Sequence, residues 1–544
     1  MLRSAGLVGL LTLLSRITGV LQSRLVANFL GAGLAADAFS VAYRIPNLLR
    51  RFTAEGTMVS AFLPTVSEVE SSQGEAAAKE MVAQFLGTLG LLLTLLCALG
   101  IPVMGLLTGL QMLGRLAPEA HGWDQVAVLG QILSGTRPVP LQLALTTTLA
   151  RIMLPYLALV SLTAGLAAVL NLRGRFGLPA SVSTFYNLAF VGFGYAALTW
   201  GPGAWRGPEQ AALVLAVATL VGGLVQLFVM WPAFRGLGFR IRWGFFFRHP
   251  GVRSALKRMT PGIVGTGIHP INVLMSAVLA SQLPVGAQTV LFNANMMSEM
   301  VLGVFAASIA TVSLPAMSRL VENRDLPGLS TSLAGALRGT AVLAIPGAVG
   351  MAVLATPIIA LVLQTGRYDA AAVAWTARTL CFQAVGILFI ATGRIAAQCL
   401  YALKEYRWPA YAGLMGMGAN VALSIVLMKP LGTGGIALAN GLASFLTMAL
   451  IGHRLHKRLG GLPLRPILGG WATMGLAAAL MGLVALAGSR WLGLAHFRGI
   501  LGTSARLFPL IGVCALVYGG LLLALRVPEA GMVVALLKRK LGRG

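Results

Sequence analysis

The sequence predicts an all-α polytopic membrane protein of about 14 transmembrane helices, built as two six-helix lobes followed by two C-terminal helices. Three observations carry that prediction. Hydrophobic residues make up 57% of the 544-residue chain against 10% charged, and the mean hydropathy of +0.83 lies outside the soluble globular range. The apolar residues gather into runs of about 20, the length that crosses a bilayer core. Short motifs of the first half also recur, in order, in the second.

Taken in order, the runs cover residues 5–30, 37–66, 80–108, 149–171, 179–200, 209–231, 259–281, 285–315, 333–363, 371–401, 408–429, 433–453, 469–488 and 507–527. The first, "MLRSAGLVGLLTLLSRITGV", has the basic start of a signal peptide, but Arg16 and Arg24 interrupt the apolar stretch, so a retained helix is expected. Lys and Arg then concentrate in alternate loops, the bias that fixes orientation. "FRGLGFRIRWGFFFRHPGVRSALKR" carries Arg235, Arg240, Arg242, Arg248, Arg253, Lys257 and Arg258 without a carboxylate, and "NLRGRFG", "LKEYRW", "HRLHKRLGGLPLR" and the tail "LKRKLGRG" share its side. Opposite them lie "GAGLAAD", "GPGAWRGPEQ", "SQLPVGAQ", "QTGRYDAA" and "KPLGTGG", each with at most one basic residue. Both termini are therefore expected to be cytoplasmic. Acidic "SEVESSQGEAAAKE" and basic "GSRWLGLAHFRGILGTSAR" run against the pattern. The net charge of +26 is accounted for by these loops, and no nucleic-acid partner is expected, because the basic residues are dispersed among spanning runs.

The repeat rests on two pairs of motifs. "AFLPTVSEVE" from Ala61 and "VSLPAMSRLV" from Val312 share Leu-Pro-x-x-Ser, while "ARIMLPY" from Ala150 and "ARTLCFQ" from Ala377 each lead to a basic loop and a Pro-Ala dipeptide. A duplicated six-helix unit follows, a common transporter plan. The expected divisions are an N-terminal lobe over 1–231, a basic cytoplasmic linker over 232–258, a C-terminal lobe over 259–453, and two further spans with a basic tail over 454–544. Residues 106–140 form an extra segment in the first half, expected as a partly helical external loop.

Charge inside the spans is the functional signal. A charged side chain at a helix centre costs about 2.5–3.5 kcal/mol on insertion scales, so such residues face a wet cavity or a partner. The first two spans hold Arg16, Arg24, Asp37, Arg44, Arg50, Arg51 and Glu55, and Glu299 is the one carboxylate deep in an apolar span. Arg24 and Arg44 are near enough to span ends to snorkel. Asp37 suits a helix N-terminus, and Glu55 lies one turn from Arg51. Glu299 reads either as a neutral carboxyl or as a partner for an arginine of the first half. Arg16, Arg50 and Arg51 together leave positive charge without enough carboxylates, which calls for water or an anion. Several guanidinium forks suit the oxygens of a diphosphate.

Enzymatic chemistry finds no foothold. The six histidines are scattered, no HExxH, GxSxG or Walker motif occurs, and Cys97, Cys381, Cys399 and Cys514 sit singly in apolar runs. No catalytic residue, metal site or cofactor is expected.

The stretch "SRITGVLQSRLVANFLGAGLAADAFSVAYRIPNLLRRFTAEGTMVSAFLPTVSE" closely resembles the opening signature of the MurJ (MviN) family of bacterial lipid II flippases, in the multidrug/oligosaccharidyl-lipid/polysaccharide exporter superfamily. "NLRGRFGLPA", "GVFAASIATVSLPAMS" and "QTGRYD" extend the resemblance over most of the chain. It implies an arginine-lined cavity that takes lipid II, undecaprenyl-diphosphate-linked disaccharide pentapeptide, from the inner to the outer leaflet of the bacterial inner membrane, and a lipid-tail groove at the last two spans. By position, Arg16, Asp37, Arg50, Arg51 and Glu299 match charged residues of the family's cavity. Gln22 and Met296 stand where the family carries arginines, Asn295 where it carries aspartate, and spans 7 and 11 lack the carboxylates of the family's sodium site. Drive by membrane potential without sodium is therefore expected. Membrane lipids and cell-wall synthesis enzymes are the other expected partners. The alternatives are a diverged paralogue moving another polyprenyl-diphosphate glycan, or a non-transporting cell-wall scaffold.

Overall fold

The computed structural model describes residues 2–53, 57–116, 118–119, 123–494, 500–529 and 531, and the side chains of these apart from 2–8, 51–53, 57–61, 260–269 and 304–316. Twenty α-helices account for nearly all of it, and the described residues contain no β-strand. By contact the chain forms two compact units, Met1–Thr289 with Thr365–Asp369, and Val290–Gln364 with Ala370–Gly544.

The first unit holds α1 (Leu2–Leu30), α2 (Leu34–Thr53), α3 (Thr57–Gln73), α4 (Glu75–Gln111), α5 (Leu113–Leu116), α6 (Trp123–Leu133), α7 (Leu141–Met153), α8 (Tyr156–Leu172), α9 (Gly177–Trp200), α10 (Pro208–Gly236), α11 (Pro250–Ala280) and the start of α12 (Ala287–Glu322). α9 lies between α1 and α10, α2 packs on α7, and α3 on α11 and α4. One core runs through them, with Phe62, Phe85, Phe190 and Phe234 fully enclosed. The second unit comprises the rest of α12 with α13 (Leu326–Val353), α14 (Ala355–Leu363), α15 (Ala370–Ala384), α16 (Ile387–Ala402), α17 (Arg407–Leu431), α18 (Thr433–Arg458), α19 (Leu464–Trp491) and α20 (Ile500–Ala524). Here α18 packs on α15, α16 and α17, while α13 packs on α16 and α19. At the centre of that packing a Cβ on Gly386 would stand 2.8 Å from the Cα of Gly441, so two backbones meet where only glycine fits.

Each of the fourteen predicted runs falls on a helix or a pair of helices. Nine helices, or ten if a bent pair counts as one span, are long and apolar enough to cross a membrane among the described residues. The four runs that make the difference from fourteen have identifiable sources: α2 carries Asp37, Arg44, Arg50 and Arg51, α9 is diluted by Ser181, Ser183, Thr184, Tyr186 and Asn187, and α11 and α12 run through side chains outside the description. Three runs that read as continuous are broken. Pro155 follows the end of α7, and Pro357 removes the N–H that would bond the end of α13. α15 and α16 meet at 44° beside Gly386. "ARIMLPY" and "ARTLCFQ" thus both end at a break in a span, the same structural place in each unit.

The acidic segment that fitted the charge pattern poorly now has a reason. Glu70 accepts from Arg173 at 2.7 Å, Glu80 from Arg242 at 2.9 Å, and Glu68 from both terminal nitrogens of Arg258 at 2.9 Å. Its carboxylates are counter-charges for two of the basic loops, at one end of the unit. In the second unit Glu405 of "LKEYRW" pairs likewise with Arg454 and Arg458 of α18. Within the basic stretch 232–258, α10 continues to Gly236, α11 begins at Pro250, and residues between them lie along α4.

Candidate functional site

A cavity of about 320 Å³ opens within the first unit, walled by α1, α2, α8, α9 and α10. α8 makes the room for it. Val160, Thr163, Ala164, Ala167, Ala168 and Asn171 recur at three- and four-residue spacing, one face of the helix, and its alanines leave space that larger side chains would fill. Polar groups come from neighbouring helices: Gln22 from α1, Arg50 from α2, Ser183 and Asn187 from α9, and Gln226 from α10. Tyr43, Tyr156 and Tyr186 add ring surface, with Tyr156 and Tyr186 at a centroid distance of 5.3 Å.

Among the described residues Arg50 is the one charged residue on this wall, and none of them lines it with a carboxylate. Asn47 Oδ1, one turn back, accepts from Arg50 Nε at 3.2 Å and fixes the guanidinium's stem. Asn187 is held by α1, donating to Ser15 O at 3.2 Å and to Thr18 Oγ1 at 3.1 Å. Gln226 is only 3% exposed, and its Nε2 has no hydrogen-bond partner among the described residues. A buried donor left unmade costs about 1–3 kcal/mol. The cavity therefore offers a cation and an unanswered donor, chemistry that water or an anion would satisfy.

The other predicted residues fall elsewhere. Arg16 is exposed on α1, and Arg24 is half-buried. The Arg51 side chain and Glu55, and with them the expected pair, lie outside the described residues. Asp37 is wholly buried and caps a helix other than its own: Oδ1 accepts from the N–H and hydroxyl of Thr289 at 2.8 and 2.7 Å, and Oδ2 from the N–H of Gly286 at 2.8 Å. This carboxylate thus answers orphan donors at the start of α12, with Arg115 of α5 at 3.5 Å as counter-ion. Arg44 does not snorkel; it is 5% exposed, and its Nε and Nη1 find no hydrogen-bond acceptor among the described residues. Glu299, in the second unit, accepts from Arg394 Nη2 at 2.9 Å. No pattern in the sequence paired those two, which lie on helices 95 residues apart.

Comparison with known proteins gives a consistent family. The family model described as "Lipid II flippase MurJ" matches residues 26–508. A Vibrio cholerae protein named "Probable lipid II flippase MurJ" is 30% identical over 458 residues, 84% of this chain and 83% of its own length. The "Lipid II flippase MurJ" of Burkholderia cenocepacia is 30% identical over 451 residues, 82% of each chain. Among solved structures, one described as "Lipid II flippase MurJ, inward closed conformation" superposes with a TM-score of 0.70 at 20% identity, covering 95% of this chain and 99% of its own, and so shares the fold.

Proposed function

The chain belongs to the lipid II flippase MurJ family, and from that premise we propose that it carries lipid II from the inner to the outer leaflet of the bacterial cytoplasmic membrane by alternating access. The observation that carries the mechanism is the cavity with Arg50 as the only charged wall residue among those described. A diphosphate brought beside Arg50 gains a charge-assisted contact in a site of reduced dielectric. The unanswered Nε2 of Gln226, with the amide of Gln22 on the same wall, supplies neutral donors. A cavity of about 320 Å³ holds several waters, room that suits a diphosphate.

The basic loops are assigned to the cytoplasm, with both termini on that side, because Lys and Arg are retained there. Inside-negative potential then favours export. A diphosphate with about two negative charges gains about 2.3 kcal/mol per charge for each 100 mV it crosses outward. Return of the empty, cationic site toward the cytoplasm is favoured by the same field, so potential alone drives both halves of the cycle and no sodium site is invoked. Arg16, Arg51 and Glu299 are assigned supporting roles in attracting and releasing the anion.

The test is lipid II flipping in reconstituted vesicles with Arg50→Ala and Arg50→Lys proteins. We expect a fall of at least tenfold for alanine and partial retention for lysine, which keeps the charge but loses the fork. Unchanged flipping by Arg50→Ala overturns the assignment of Arg50.

A further inference from the structure

We propose that the segment joining α10 to α11 is a binding site for anionic phospholipid headgroups, separate from the transport cavity. Residues 239–248 lie as a strap along the first half of α4. The Arg242 N–H donates to Ala83 O at 3.1 Å, and the Thr88 hydroxyl donates to Gly244 O and accepts from Phe246 N–H, each at 3.1 Å. Gly87 admits the carbonyl of Arg242 where no side chain could fit, and a Cβ on Gly90 would stand 2.6 Å from the Trp243 ring. Phe239 anchors the start of the strap, only 1% exposed.

A strap pinned this firmly would be expected to turn its apolar rings inward. Instead Trp243 is 57%, Phe245 55% and Phe247 47% exposed. In the sequence these rings are flanked by Arg240, Arg248 and Arg253, all exposed and without an ion pair among the described residues. Between Glu209 and Glu299 the chain contains no carboxylate, and the two that reach the segment from α3 and α4, Glu68 and Glu80, are taken by Arg258 and Arg242.

Continuity with the lipid-facing surface identifies the occupant. Leu95 and Leu99 follow Thr88 by seven and eleven residues on one stripe of α4, and they are 47% and 64% exposed. At 1.5 Å per residue, Gly90 under Trp243 is about 7 Å along the axis from Leu95. The rings therefore lie where the apolar belt of α4 gives way to the basic end of the unit, the depth at which Trp is favoured in bilayers. Exposed rings at that depth, flanked by unpaired guanidinium groups, fit a lipid acyl–headgroup boundary with phosphate above it. On the orientation proposed above, this is the cytoplasmic leaflet.

The experiment reads phospholipid binding alone, without lipid II, so its failure and that of the flippase mechanism are distinguishable. The full-length protein is titrated with phosphatidylglycerol or phosphatidylcholine, and bound lipid is counted by native mass spectrometry at low and high salt. The wild type should prefer phosphatidylglycerol, with the preference shrinking as salt rises. Arg240→Gln, Arg248→Gln and Arg253→Gln combined should weaken phosphatidylglycerol binding by about 100-fold, about fivefold per arginine. A second measurement needs no charge variant: fluorescence quenching by brominated phosphatidylglycerol in vesicles, with Trp243→Phe used to isolate the Trp243 signal. Strong quenching of that signal supports the site. Equal binding of the two lipids by the wild type overturns it, as does a Trp243 signal that brominated lipid does not reach.

Discussion

Asp37→Asn is the most informative single substitution, because it keeps the size of the side chain and removes only charge and one acceptor. In the wild type three donors converge on the carboxylate, all from the start of α12 and all at 2.7–2.8 Å. An amide retains one oxygen, which can stay with Thr289. Its NH₂ then faces the N–H of Gly286, leaving that donor unmade at about 1–3 kcal/mol. The two remaining bonds fall from the charged to the neutral range, about 1 kcal/mol less each, and Arg115 loses its counter-charge. The combined cost is about 4 kcal/mol, close to three decades in the opening equilibrium of the α12 first turn. Hydrogen–deuterium exchange of peptides covering residues 284–292 should therefore accelerate by about 10³, with the core of α9 as unchanged control. Thr289→Val, which removes one donor and leaves the carboxylate, should accelerate exchange by no more than about tenfold. Wild-type exchange in Asp37→Asn would refute the capping role.

Gln22→Arg would place a second cation on the cavity wall beside Arg50; lipid II affinity should rise by about tenfold in equilibrium binding, and an unchanged Kd would count against this cavity as the diphosphate site. Gly441→Val drives a side chain into the Gly386 backbone, and overpacking of this kind costs about 3 kcal/mol, readable as a lower melting temperature in detergent. Arg454 and then Arg458 hold the Glu405 carboxyl below the usual carboxylate range. A depressed folded-state pKa contributes stability above the unfolded value and loses it as pH falls through the folded one. The melting-temperature gap between wild type and Glu405→Gln should thus be full at neutral pH and close below about pH 4.

Helix positions were legible because run length and polarity are local properties. All fourteen intervals met helices, and the break before Pro155 follows from the missing N–H of proline. The 44° bend beside Gly386 was not legible, since a glycine signals close approach only when its partner, here Gly441, is known. Arg50 and Gln22 could be singled out as a charge in a span and an amide in place of an expected arginine, but the spacing could not tell that they share one wall. Arg16, two residues from Thr18 in the same helix, is exposed and does not line this cavity. Asp37 suited a helix N-terminus from the start; the donor it meets just before the helix it serves, Gly286, is 249 residues further on, a distance over which periodicity carries no information. Arg44 lay near a span end, yet the packing of α2 on α7 and α11 encloses it.

One contact bears on how the chain is made. The segment Thr365–Asp369 belongs to the first unit although it is translated between α14 and α15. It closes the end of α1: the Arg367 N–H donates to Asn28 O at 3.1 Å, the Thr365 hydroxyl to Asn28 Oδ1 at 3.0 Å, and a Cβ on Gly31 would stand 2.7 Å from the Arg367 carbonyl. Asn28 and Thr365 are 337 residues apart, which at ribosomal speeds of about 5–20 residues per second is roughly 15–70 s. Throughout that interval α1 is inserted while its end remains open. The end of α1 is thus sealed only after the first 75 residues of the second unit have been synthesised, and a nascent chain cut before Thr365 would carry an unfinished first unit.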